Sequence, residues 1–395
     1  MDYSFTKSQI ELREKTVAFV KEEIPREVSR DVDKKGEFPF DLMKKLGDQG
    51  FWRINVPEKY GGDGGSTTEL MIFFEEISKA LPVLSWTAGN VLLYGNNIIN
   101  VNGNEEQRLK YLPRLMKGEL KFCFALTEPD AGSDAANIQT AAELVGDNYV
   151  INGSKMFISG ASVSQIAVTN TRTGPSRYKG ITSFLVDMDS EGYSATPITK
   201  LGYKGSDTCE VYYKDVKVSP ENILGGKECL NRGWEQMMRL LNGERLVLSA
   251  CAIGIAERVM ADTIAYLKEK KKISGSDTRF QDTEHKLAEM AAQTEAARQL
   301  AYYAAWMMSQ KMDCVKETSM CKLFCAETGK KVAMMGMEIT GAQGYTMESD
   351  VQRFFRDIPI LSIGGGHHRF RKILSRKPWD CRKNLDSWSS AGKGQ

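Results

Sequence analysis

The apolar residues of this chain change their spacing twice, and that double switch limits the architectures open to it. From residue 8 to about 120 they recur at helical intervals, as in Phe19, Val20 and Ile24 and then Leu42 and Leu46, with Gly and Pro breaks between. From about 121 to 230 the texture becomes short β-rich runs: Tyr149 to Ile151, Gln165 to Thr169, Ser183 to Val186 and Glu210 to Tyr213, parted by Gly, Asn and Asp turns. Long helical patterns then return over Glu235 to Lys272, Thr283 to Gln310 and Lys316 to Thr340. The expected fold is α+β, with a helical domain at 1–120, a small antiparallel β domain at 121–230, and a four-helix bundle at 231–378. A polar tail at 379–395 follows, with Leu385 and Trp388 its only anchors. At 395 residues the chain can bury more than one core.

Bulk properties exclude several functions. A formal charge of +2 gives no electrostatic argument for nucleic acid or an anionic membrane. The basic run Lys268 to Lys272 reads as a solvated helix end. Eight scattered cysteines fit a reducing compartment. Cys321 and Cys325 share a helix face, but Leu323, Phe324 and Ala326 around them suggest packing, and His285, His367 and His368 are too few to complete a metal site. The N-terminal segment is amphipathic and no window reads as a membrane span, so a cytoplasmic location is expected. Gly61, Gly62, Gly64 and Gly65 follow Pro57 and Tyr60 without a buried strand, which argues against a dinucleotide loop there.

The chemistry concentrates in Phe124-Ala-Leu-Thr-Glu-Pro-Asp-Ala-Gly-Ser-Asp134. Leu126 and Thr127 would end a strand, Pro129 would fix a turn, and Gly132 would let backbone approach a ligand. Thr127 and Ser133 add hydroxyls for phosphate or ring contacts, although an isolated turn of this kind is more often an ordinary surface loop. Followed by Ile-Asn-Gly-Ser-Lys-Met-Phe-Ile-Ser at 151–159, this run resembles the flavin-binding core of the acyl-CoA dehydrogenase family. The resemblance begins at Met-Asp-Tyr-Ser-Phe-Thr and passes through Val-Pro-Glu-Lys-Tyr-Gly-Gly at 56–62 and Lys-Asp-Val-Lys-Val at 214–218. It continues through Asn-Gly-Glu-Arg-Leu-Val-Leu at 242–248 and Gly-Ala-Gln-Gly-Tyr at 341–345, leaving out about the last fifteen residues.

The resemblance implies FAD between the β domain and the bundle, with its ring near Phe124, Leu126, Thr127, Phe157 and Ser159. Phe157 stands where many relatives carry Trp, which keeps an aromatic face. Lys270 takes the place of a usual Arg, and Ile273 and Ser274 replace Phe-Gly, whereas Phe280 and Gln281 match. A lysine neutralises a pyrophosphate without the bidentate fork. Glu338 and Gly341 mark another FAD-contact segment, with Ala342 in place of a usual Gly or Ser. After the glycines at 364–366, His367, His368, Arg369 and Arg371 depart from the family pattern and would meet either an FAD phosphate or a carboxylate on the acyl group.

The family's reaction needs a carboxylate in a dry pocket to take the α-proton of the thioester. In many relatives it lies in the segment 355–370, where this chain has Gly365. A second arrangement, that of isovaleryl-type dehydrogenases, places the Glu on the long bundle helix just before an Arg, and Glu244-Arg245 matches it. Glu244 is therefore the expected base, against the alternative of a helix carboxylate paired with a neighbouring cation. Ser133, Asn242 and Arg245 are expected on the substrate side, with the Gly366 backbone polarising the thioester carbonyl. The Met320–Cys325 pattern is similar to the crotonobetainyl-CoA reductase branch, which can run towards reduction. The expected activity is thus acyl-CoA dehydrogenation or enoyl-CoA reduction, with an electron-transferring flavoprotein as partner and a homotetrameric assembly. A non-catalytic flavin-binding subunit and an acyl-CoA oxidase remain alternatives.

Overall fold

The structure, a computed structural model, describes residues 4–270 and 281–366. Seven helices precede the sheet: α1 (Lys7–Glu23), α2 (Arg26–Lys35), α3 (Phe40–Asp48), α4 (Thr67–Ala80), α5 (Pro82–Val91), α6 (Ile98–Asn102) and α7 (Glu105–Met116). Their starts follow local chemistry. Thr6 with Gln9, Ser66 with Glu69, and Asn104 with Gln107 form capping boxes at α1, α4 and α7, while Pro82 opens α5 where its missing N–H costs nothing. Between α5 and α6 the helical path widens into a π-helical turn, Leu92–Asn97.

Seven strands follow: β1 (Phe122–Ala125), β2 (Ala141–Val145), β3 (Asn148–Ser159), β4 (Ile166–Arg172), β5 (Ile181–Asp187), β6 (Tyr193–Pro197) and β7 (Thr208–Val218). They form one sheet in the order β1-β4-β2-β3-β7-β6, with β5 also paired to β4. The β2–β3, β3–β7, β6–β7 and β4–β5 pairs are antiparallel, and β1 lies parallel to β4 in the register Phe122↔Ile166. That parallel pair sends the chain out of the sheet after Ala125, and the 126–140 loop is where the sequence put the flavin contacts.

The C-terminal part comprises α8 (Gly233–Glu269), α9 (Gln281–Ser309), α10 (Val315–Tyr345), α11 (Asp350–Asp357) and α12 (Ile360–Ile363). Helix α8 is buried continuously from Arg245 to Ala256 because α4 covers one side and α10 another. The N-terminal helices and the bundle consequently share one apolar core, in which Phe73, Leu246, Ala301 and Cys325 belong to the same cluster, while the sheet has its own around Ile151, Phe184 and Val216. Cys321 and Cys325 are both in the shared core with their sulfurs 3.8 Å apart, and no group of three or more metal-ligating side chains occurs among the described residues. No described helix is long and apolar enough to cross a membrane. The tail at 379–395 lies outside the described residues.

Candidate active site

The site forms where the end of β1, the end of β3, the π turn, α8 and the glycine turn after α12 converge. The Lys155–Glu128 pair fixes its β-domain wall. Both side chains are almost wholly buried; Lys155 Nζ donates to Glu128 Oε1 at 2.8 Å and to the Leu126 carbonyl at 3.1 Å. The Gln139 and Thr140 amides donate to the two Glu128 oxygens at 2.6 and 2.9 Å. Burial pulls the Lys155 ammonium down to about 8, opposed by Glu128, and it remains charged at neutral pH. Against its own burial, Glu128 is held below the usual carboxylate range by Lys155 and these amides. The loop carrying Leu126 and Thr127 is thus anchored from behind by satisfied groups.

Thr127 then joins β3, its carbonyl accepting from the Met156 amide at 2.8 Å. Just beyond, the β3–β7 register shifts between Lys155 and Ile158, and inside that irregularity Phe157 has φ 62° and is 57% exposed. A large aromatic residue in the left-handed region, turned out of the sheet, is a strained placement of the kind held at ligand sites. Phe157 is thus not part of the β-domain core.

Ser159 is tied to the helical part: Trp86 Nε1 donates to its Oγ at 3.0 Å, and Asn90 Nδ2 donates to its carbonyl at 3.1 Å and to that of Phe122 at 2.8 Å. Trp86 reaches the other wall too, its ring end lying 3.4 Å from where a Cβ on Gly364 would stand. Phe124 stacks on Tyr94 with centroids 5.8 Å apart and planes 16° apart, and the Tyr94 hydroxyl donates to Glu244 Oε1 at 3.4 Å. Burial first, and then the Glu244 charge, hold this phenol far above its ordinary range.

Glu244 is half-buried on α8, one turn before Leu248. Gly365, with φ 63°, lies against Leu248, and behind it the fully buried Lys322 of α10 donates to the Gly366 carbonyl at 3.3 Å. Arg245 turns inward: it is 5% exposed, its Nη1 donates to Asn242 Oδ1 at 2.7 Å, and burial lowers it to about 10, opposed by Glu244. Thr318 also donates to Asn242 Oδ1, at 3.4 Å.

The structure therefore gathers Phe124, Leu126, Thr127, Phe157, Ser159, Asn242, Glu244, Arg245 and Gly366 about one region. Ser133 is exposed on the loop next to Gly132, where a Cβ would meet nothing within 4 Å. Lys270 is exposed at the end of α8 beside Glu269 at 3.5 Å, and Gln281 opens α9. Glu338 lies on α10, exposed and 3.9 Å from Lys286, and Gly341 kinks that helix at φ 61° and ψ −142°. Phe280, His367 and Arg369 lie outside the described residues, as do Ile273, Ser274, His368 and Arg371. Sequence reasoning missed Trp86, Tyr94, Leu248, Lys322 and the Glu128–Lys155 pair. Polar Asn90 and Asn96 within the apolar stretch 83–99 were the available signal, since buried amides need partners and mark a structured turn.

Profiles of the acyl-CoA dehydrogenase N-terminal, middle and C-terminal domains match residues 6–119, 123–216 and 231–374. The chain is 36% identical over 376 residues to a 3-(aryl)acrylate reductase of Clostridium sporogenes, covering 94% of this chain and 98% of the relative. It is 34% identical over 358 residues to a caffeyl-CoA reductase–Etf complex subunit of Acetobacterium woodii, covering 90% and 94%. The butyryl-CoA dehydrogenase structure from Megasphaera elsdenii superposes with a TM-score of 0.89 at 30% identity, over 95% of this chain and 98% of that one. The chain belongs to the acyl-CoA dehydrogenase family. It is an oxidoreductase whose cofactor is FAD, and the residues present fit that group: an exposed aromatic ring, hydroxyls on Thr127 and Ser159, and an open glycine loop line one wall.

Proposed function

We propose that the protein interconverts an acyl-CoA and its α,β-enoyl counterpart, with Glu244 taking the α-proton in oxidation and returning it in reduction. The observation that carries this reading is a carboxylate on α8 one turn before Leu248, the residue that crowds Gly365, and linked through Tyr94 to Phe124. The bound flavin supplies hydride exchange at the substrate's β-carbon. Thr127 and Ser159 orient its ring, and the Gly366 turn, held by Lys322, presents backbone to the thioester carbonyl. Asn242 accepts from Arg245 and Thr318 through one oxygen, which leaves its NH2 group for the substrate.

The Etf-complex relative supports an electron-transferring flavoprotein as redox partner, and reductases among the relatives support operation towards the saturated thioester. A homotetramer is supported by apolar side chains left exposed along α10, among them Met320, Phe324 and Met334. A cytoplasmic location accords with the free cysteines among the described residues.

The test is anaerobic titration of the flavin-loaded protein with saturated acyl-CoAs, and of the dithionite-reduced protein with enoyl-CoAs, for wild type and Glu244→Gln. Bleaching or reoxidation that disappears in the variant supports the reading. A variant that retains wild-type rates removes Glu244 from the chemistry.

A further inference from the structure

Helix α2 begins without a side-chain cap. Pro25 stands at its N-cap, and the first amide to close a helical turn is that of Ser29, on the Pro25 carbonyl, so the amides of Arg26, Glu27 and Val28 have no partner within the helix. Pro25 and Arg26 line a cavity of about 270 Å³ bounded by the α1–α2 junction, the end of α4, α8 and α11. Every charged side chain lining it is a cation: Lys21, Arg26, Arg258 and Arg353. Two carboxylates contact this group without lining the cavity. Asp262 accepts from Arg26 at 2.5 Å and from Arg258 at 3.0 Å; Asp350 accepts from Arg26 and Arg30, each at 3.0 Å, and lies 3.5 Å from Arg353. With Arg30, five cations thus stand against two carboxylates.

Arg353 is the second observation. It is 3% exposed, its Nη1 donates to the Ala80 carbonyl at 3.2 Å, and its Nε has no hydrogen-bond partner among the described residues. Ser29 Oγ donates to the same carbonyl at 3.2 Å, so the last carbonyl of α4, which would repel an anion, is already engaged. A buried guanidinium with an unmade donor is costly. A water would satisfy that donor and leave the excess charge uncompensated, whereas an anion answers both, at a helix N-terminus suited to it. We propose that this cavity binds a phosphate group, held by the first amides of α2 and by Arg353, Arg258 and Lys21. The volume lies below the roughly 300–1,000 Å³ of sites for drug-sized ligands. It suits a free phosphate ion or the phosphate end of a small metabolite. None of the lining residues belongs to the candidate active site. Bound there, the phosphate ties the first two helices to α8 and α11.

The test titrates flavin-loaded wild type, Lys21→Glu and Arg353→Lys with inorganic phosphate and, separately, with glycerol 3-phosphate, at an ionic strength held constant with potassium chloride. Calorimetry gives the stoichiometry and dissociation constant, thermal unfolding gives the midpoint, and flavin content is measured on each preparation. Wild type is expected to bind one phosphate per chain saturably, with the midpoint raised on the order of 2 °C at a hundredfold excess over the dissociation constant. Lys21→Glu reverses an exposed charge and Arg353→Lys keeps the charge while removing the Nε donor; each should weaken binding about tenfold or more. Tighter binding of inorganic phosphate assigns the site to the free ion, and tighter binding of glycerol 3-phosphate assigns it to an esterified phosphate. No saturable binding by wild type overturns the proposal, as does a wild-type dissociation constant in either variant that retains its flavin. If Arg353→Lys fails to fold, Lys21→Glu decides alone.

Discussion

A Cβ built on Gly365 would stand 2.6 Å from Cδ1 of Leu248, the residue one turn beyond Glu244 on α8. The glycine turn therefore packs against α8 one turn from Glu244, and a side chain at 365 would meet Leu248. The tip of Leu248 can yield, but Gly365 also has φ 63°, where an L-residue costs roughly 1–2 kcal/mol. Gly365→Ala is expected to destabilise by about that amount, read from urea midpoints. Gly365→Glu in a Glu244→Gln background should not restore flavin bleaching; restored bleaching would show that the glycine turn can carry the base.

Phe157 pays for its exposure with a left-handed backbone, so its replacement should separate stability from cofactor binding. Phe157→Gly removes a strain of roughly 1–2 kcal/mol and adds back about 0.5–1 kcal/mol of glycine chain entropy. The apoprotein is expected to melt slightly higher, while flavin retention falls with the loss of the aromatic face. Unchanged flavin retention would mean that the ring at 57% exposure serves some surface other than the cofactor.

Lys155 stands behind the same loop with its charge spent on Glu128 and the Leu126 carbonyl. Removing one partner of a buried pair strands the other, at a cost of about 3–5 kcal/mol. Lys155→Met should show that loss in denaturant unfolding together with release of flavin, and Glu128→Gln in the same background should recover part of it. A Lys155→Met protein of wild-type stability would mean that the Gln139 and Thr140 amides alone hold Glu128.

The motif around Phe124 to Asp134 and the Glu244-Arg245 pair made the β-domain wall and the proposed base legible in the sequence, because each is a local run of residues. Trp86 and Tyr94 were not legible. They sit in a stretch whose apolar spacing reads as helix, and what aims Tyr94 is a π turn set by contacts with Asn55 and Leu115, remote in sequence. Periodicity likewise showed that α8 has a buried face without showing that α4, from the other end of the chain, helps bury it. The exposure of Phe157 depends on an irregular β3–β7 register that no spacing rule announces.

Asp357 provides a pH signature for the joint between α11 and the β domain. Its carboxylate is 3% exposed, accepts from the Tyr203 amide at 2.5 Å, and faces Arg353, Arg356 and Asp33. Burial raises its pKa from 3.8 to about 6, opposed by the Tyr203 amide and the arginines. Between those values the folded protein keeps a proton that the unfolded chain has released, so this group withdraws stability as pH rises from 4 to 6. The full effect is on the order of 3 kcal/mol. Asp357→Asn preserves an acceptor for Tyr203 and abolishes the titration, while Arg356 keeps Asp33 and Arg353 keeps Asp350. In urea unfolding at pH 4 and pH 6.5, the variant should therefore gain on wild type as pH rises. A stability difference that stays constant across that interval would show that Asp357 titrates as an ordinary carboxylate.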